Sequence, residues 1–139
     1  MPAVTRWFIK AGLAYFMVAL SLGVILAAAA VLPIPPAIGV WGPVYFHLLM
    51  VGWVAQLIFG VVYWMFPCYS KDKPRDSEGL AVATFVLLNV GLMCRAIGEP
   101  SHSLWPAAVW GWLVVPSAIL QWFAAMMFVV NTWARVKER

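Results

Sequence analysis

The sequence predicts an all-α, polytopic membrane protein: an antiparallel bundle of four transmembrane helices in one membrane domain, residues 1–139. Three observations lead there. The chain is 65% hydrophobic and only 10% charged, where a soluble domain carries about 25% charged residues. Its apolar residues gather into four stretches, at about residues 7–32, 43–66, 79–98 and 105–131, each long enough for the ~20 residues that cross a bilayer. Apart from Arg95, lysine and arginine occur only in the N-terminal segment, the central loop and the C-terminal segment.

The first stretch follows Arg6 and Lys10 and runs to about Leu32. It is too long for the ~7–15-residue core of a signal peptide, so it is read as a span, although Ala27 to Ala30 have the small side chains of a cleavage site. Pro33, Pro35 and Pro36 deny the backbone its donors and should keep the first turn non-helical. Gly42-Pro43 then opens the second helix, with proline near its first turn, and Pro67 ends it. The polar loop 70–78 leads into the third helix near Ser77, where Glu78 suits the positive end of the helix dipole. Glu99-Pro100-Ser101-His102-Ser103 should close that helix. Pro106 starts the fourth, and Pro116 lies inside it, as transmembrane helices tolerate.

The basic residues predict orientation. Arg6 and Lys10, then Lys71, Lys73 and Arg75, then Arg135, Lys137 and Arg139 share one side of a four-span protein. The positive-inside rule puts both termini in the cytoplasm, in the inner (cytoplasmic) membrane of a prokaryote. Trp7, Trp64, Tyr69 and Trp133 fit an aromatic belt on that side, and Trp41, Tyr45 and Trp105 an outer one. The partner is therefore the lipid bilayer. The net charge of +4 sits at membrane edges and forms no stripe for nucleic acid. Cys68 and Cys94 fall at different depths, which argues against a disulfide between them. The sequence has no phosphate loop, no CxxC, no paired intramembrane carboxylates and no nucleophile beside a base.

Few residues remain that could carry chemistry. His47 lies about one turn into the second span. At about 100° per residue, Met50, Val51, Val54, Ile58, Val61, Val62 and Met65 share its side, while Gly52, Gln56, Gly60 and Tyr63 lie opposite. Glycines so spaced admit a neighbouring helix. An imidazole above an apolar wall suits a porphyrin, which needs one axial nitrogen; an interfacial histidine bonded to a neighbour is the plainer reading. His47 with Met50 forms the other metal pairing at helical spacing. Arg95 is either a propionate partner at the depth of His47 or the (i, i+4) partner of Glu99. His47, Arg95, Glu99 and His102 should gather at the outer surface. His102 is read as an exposed loop residue, with a metal site shared with His47 as the alternative. Asn89 and Gln121 are read as amides that join helices.

The run Phe46-His47-Leu48-Leu49-Met50-Val51-Gly52-Trp53, continued by Gly60-Val61-Val62-Tyr63-Trp64-Met65-Phe66-Pro67, resembles the histidine-bearing helices of heme–copper oxidase subunit I and the nitric oxide reductase large subunit. The whole chain is similar in layout to one four-helix arc of that subunit. The resemblance implies a b-type heme with His47 as axial ligand and Arg95 near a propionate, and copper as the alternative metal. It also implies an assembly of arcs, as a homotrimer or by docking in a larger respiratory-type complex. The remaining histidine ligands of an oxygen reductase are missing, so the chain is not expected to be an enzyme alone. Three functions follow: electron transfer or heme carrying, a structural accessory subunit of an energy-conversion complex, or an assembly factor for heme or copper.

Overall fold

The computed structural model describes residues 1–66, 77–105 and 108–136. Four helices are long and apolar enough to cross a membrane: α1, Ala3–Ala28; α2, Pro36–Met65; α3, Glu78–Leu104; and α4, Ala108–Trp133. No strand occurs among the described residues. The all-α four-helix membrane bundle expected from composition is the fold observed. Lys71, Lys73, Arg75, Cys68, Tyr69 and Pro106 lie outside the described residues.

The helix ends differ from expectation in instructive ways. α1 stops at Ala28 instead of Leu32, and the next residues tighten into turns with Val31 N and Leu32 N both donating to Ala28 O. Leu32 precedes Pro33, which disfavours helical backbone there. Pro36 does enter a helix: it opens a 3-10 turn, Pro36–Trp41, because the first helical position needs no amide donor. α3 runs straight through Pro100 to Leu104, where closure was expected. Neighbouring helices, hydroxyls and local adjustments let transmembrane helices absorb a proline; here Pro100 is buried, and Ser103 Oγ donates to Glu99 O at 3.0 Å. α4 is described from Ala108; Pro106, expected to start it, lies outside the described residues.

The start of α3 is as the sequence suggests, with Glu78 in the first turn and Ser77 as N-cap. Ser77 Oγ accepts from Leu80 N at 3.2 Å. Asn131 of α4 grips the same residue, accepting from Ser77 N at 3.4 Å and donating to Ser77 O at 3.2 Å.

Residues Leu48–Ala55 of α2 form a π-helix between two α-helical parts, Gly42–His47 and Gln56–Met65. This explains the burial pattern. Val44, Leu48, Gly52, Gln56, Gly60 and Tyr63 are buried. Four-residue steps drift by about 40° each on an α-helix, so Val44 and Gly60 would point about 160° apart. The wider π turn holds them on one face. Its cost is local, and such segments are frequent at functional sites.

That face takes α1. A Cβ on Gly52 would come within 2.9 Å of Tyr15 Cγ, and one on Gly60 within 2.8 Å of Phe8 Cβ. Close backbone approach of this kind, with dispersion as its reward, associates helices in lipid. Phe16 stacks on Trp53 with ring centroids 4.1 Å apart. α3 packs chiefly on α4, and the two pairs meet mainly through α2 and α3. Near the termini, Val4, Phe8, Tyr63, Ala81, Leu88 and Ala124 form one core cluster; Ala19, Val44 and Leu48 form another toward the far end.

Gly91 on α3 meets α4 most tightly. An added Cβ would lie 2.9 Å from Gln121 Cγ, 3.0 Å from Ser117 O and 3.3 Å from Leu120 Cβ. Alanine ordinarily gains up to about 1 kcal/mol over glycine in a helix, but overpacking costs about 1–3 kcal/mol. Gly91→Ala is therefore expected to lower thermal stability in detergent. Gly42→Ala, with nothing within 4 Å of its Cβ, should leave stability unchanged or raised. Equal melting temperatures for the two variants would contradict this packing.

Candidate functional site

His47, Arg95 and Glu99 come together at the end of the bundle away from the termini. His47 Nδ1 lies 2.8 Å from Pro43 O, one turn back on its own helix, and 3.7 Å from Glu99 Oε2 on α3. A carbonyl only accepts, so Nδ1 carries the proton, and Nε2 of the neutral ring keeps its lone pair. Arg95 Nε and Nη2 each reach Glu99 Oε1 at 2.8 Å. Glu99 thus stands between the other two. Its Oε2 is buried and accepts no hydrogen bond among the described residues, which leaves it oriented to His47 by charge and proximity alone.

The π segment decides where His47 sits. On an uninterrupted α-helix His47 and Gln56, nine residues apart, would point in opposite directions. The sequence reading put His47 there, above an apolar wall. In the structure the wider turns bring it against Glu99 of α3, and its side chain is 24% exposed. Of the side chains expected beside it, Met50, Ile58, Val61 and Met65 are exposed, but Val51 packs against the core. The glycine face was placed as observed.

His102 does not join this cluster. It is exposed on α3, and its ring lies near Gly111 of α4, with Cε1 and Nδ1 3.7 and 3.8 Å from where a Cβ would stand. Among the described residues no three His, Cys, Asp or Glu side chains gather as a metal site. The cluster therefore offers one imidazole nitrogen, backed by a carbonyl and a carboxylate, and one guanidinium already held by that carboxylate.

A second polar group lies nearer mid-bundle. Tyr15 OH donates to Asn89 Oδ1 at 3.0 Å, and Gln56 Nε2 donates to the same oxygen at 3.2 Å. Asn89 Nδ2 donates to Gln56 Oε1 at 3.3 Å and to Phe85 O at 2.7 Å. Asn89 thus joins α1, α2 and α3, as an amide in a span was expected to do. Among the described residues Gln121 does not bond across helices: its amide donates to Ser117 Oγ on its own helix at 3.4 Å, and its stem lies against Gly91 of α3. The sequence signal for this triad was a tyrosine and two amides inside apolar stretches; their pairing depends on the tertiary approach of three helices.

Asn89→Leu should leave Gln56, fully buried, without its side-chain partner. An unsatisfied buried amide costs about 1–3 kcal/mol, whereas interhelical bonds measured in membranes average about 0.6 kcal/mol. Asn89→Leu should thus destabilise more than Tyr15→Phe, which leaves the two amides paired. Denaturation in detergent measures both, and the reverse ranking would contradict the network.

No known protein family, curated protein or solved structure matches this chain. The fold defines its class, an all-α multi-pass membrane bundle, and its function is read from the side chains.

Proposed function

We propose that this chain is a heme-bearing membrane protein, acting in electron transfer or heme carrying within a respiratory-type assembly, with His47 Nε2 as an axial ligand. The observation that carries this is the Nδ1 contact with Pro43 O at 2.8 Å. Ligating histidines almost always donate their other ring N–H to a carbonyl or carboxylate, which sets the tautomer and makes the ligand nitrogen more basic. His47 has the carbonyl as that partner, with the Glu99 carboxylate 3.7 Å away. A bound heme supplies a one-electron couple; the chain supplies the oriented nitrogen and, at Arg95, a cation beside it. Glu99 holds Arg95 through two contacts to a single oxygen, so a propionate would share the guanidinium with that carboxylate. The sequence pattern of residues 46–67, a histidine near one helix end followed by glycine-tryptophan and a second glycine with aromatics, is the sequence-level support for the same reading.

An absorption spectrum of protein from heme-replete cells, purified in mild detergent, tests it. A Soret band with sharp α and β bands on reduction is the expected result. Their absence would favour a structural accessory role. That second reading draws on the apolar side chains exposed along α1 and α4, including Trp112 and Trp122, which leave room for neighbouring subunits, whether two further copies or a larger complex. The distribution of lysine and arginine supports a prokaryotic inner-membrane location with both termini cytoplasmic. Thiol labelling that places residues 70–78 outside the cell would overturn this orientation.

A further inference from the structure

A cleft of about 540 Å³ lies between α1, α2 and α3, in the half of the bundle away from the termini. Val44 and Leu48 of α2 line it with Leu22 of α1 and Ala96 of α3; Tyr15 marks its inner end and Trp41 its outer end. His47 and Arg95 do not line it. We propose that this cleft is a lipid site, and that it holds one acyl chain of a phospholipid from the leaflet at that end of the bundle.

The chemistry of the lining excludes a polar occupant. Its two hydroxyls are engaged elsewhere: Tyr15 OH donates to Asn89 Oδ1 at 3.0 Å, and Ser21 Oγ to Met17 O at 2.9 Å. What remains along the cleft is hydrocarbon, two methionines and the Trp41 indole at the rim. Tryptophan favours headgroup depth, which places the ester end of a lipid there and its chain inward.

The dimensions select a single chain. From Tyr15 to Ile25 the lining spans ten residues of α1, or about 15 Å at 1.5 Å per residue, half of the ~30 Å hydrocarbon core. A transmembrane helix would run through the whole ~30 Å hydrocarbon core, whereas the cleft spans only half of it. One inserted side chain from a second copy would fill only part of its length. An extended acyl chain matches that length.

The cleft is also built to stay open. The Tyr15 ring rests against Gly52, where a Cβ would approach Cγ to 2.9 Å, and its hydroxyl is tied to Asn89. The ring therefore cannot swing outward to fill the space without breaking both contacts. A cleft left empty would forfeit dispersion along its whole lining. Met17 and Met93 at its edges are side chains that adapt to an irregular guest.

Native mass measurement on delipidated protein in mild detergent, titrated with palmitoyl-oleoyl phosphatidylcholine, tests the proposal. The expected result is one retained lipid per chain. Ala96→Phe, which fills the cleft, should weaken retention about tenfold, while Val90→Phe, on the lipid-facing side of α3, should match the wild type. Ser21→Trp, at the cleft's edge, provides a second filling variant should Ala96→Phe fail to fold. No retained lipid, or retention undiminished in the folded filling variants, would overturn the proposal. So would binding of an added phytyl-chain lipid in its place, since that would assign the cleft to isoprenoid tails.

Discussion

Replacing Arg135 by methionine is expected to destabilise the protein by about 2–5 kcal/mol, although the residue lies beyond the last span. Arg135 is 1% exposed. Its Nη2 donates to Tyr63 O at 3.0 Å and to Phe66 O at 2.8 Å, and its guanidinium carbon lies 5.6 Å from the Tyr63 ring centroid. It thereby caps the end of α2, whose last carbonyls have no partner within the helix. Methionine keeps much of the volume but leaves two carbonyls unsatisfied, at about 1–3 kcal/mol each, and removes a cation–π contact. Arg135→Lys should recover part of the loss, because one ammonium cannot reproduce the spread of a guanidinium. Thermal denaturation in detergent followed by circular dichroism measures the series. A methionine variant as stable as the wild type would show that water or detergent satisfies these carbonyls unaided.

If the protein holds heme as proposed, His47→Ala is expected to abolish its binding, or to reduce it below detection, while His102→Ala leaves it unchanged. The contrast follows from their settings. His47 has Nδ1 fixed by Pro43 O, which leaves Nε2 as the free nitrogen; His102 is exposed and stands against Gly111 with no such partner among the described residues. Heme per chain, quantified by pyridine hemochrome after purification under identical conditions, provides the readout, with circular dichroism confirming that both variants fold. Full heme content in the His47 variant would remove the assignment and turn attention to His102 or a methionine.

The bundle was legible because its causes are local. Four apolar stretches and the charges between them dictate four helices, and Ser77-Glu78 marks a helix start through capping and dipole alone. The glycine face of α2 could also be read, since Gly52, Gln56 and Gly60 recur at helical spacing. The failures were tertiary. Pro100 has the signature of a helix end, yet it stays helical because the surroundings absorb the lost bond. Arg135 reads as one more charge at a membrane edge; that it caps a helix ending some 70 residues earlier depends on how α4 returns beside α2. The gathering of His47, Arg95 and Glu99 was expected from their depth, and His102 was wrongly included; the π segment that turns His47 toward Glu99 was not, since the sequence offers for it only a four-residue spacing of buried positions that looks like an ordinary stripe drawn slightly too wide. Arg95 and Glu99, four residues apart on one helix, were readable as a pair.

That spacing has a consequence for how this chain could change length. Buried positions in α2 step by 4, 4, 4, 4 and 3 residues, from Val44 to Tyr63. Removing one residue between Leu48 and Gly52 would change the steps to 4, 3, 4, 4 and 3, the stripe of a plain α-helix. The extra residue would vanish from the widened turn, and both flanks would keep their facing. The same deletion in the α-helical parts of α2 would rotate everything beyond it by about 100° and draw it in by about 1.5 Å, carrying Gly60 off Phe8 or Val44 out of the core. Residues 49–51 and 53–55, within the π segment, are thus where a single-residue deletion can be absorbed without re-registering the span, and where chains of two different lengths could share one membrane architecture.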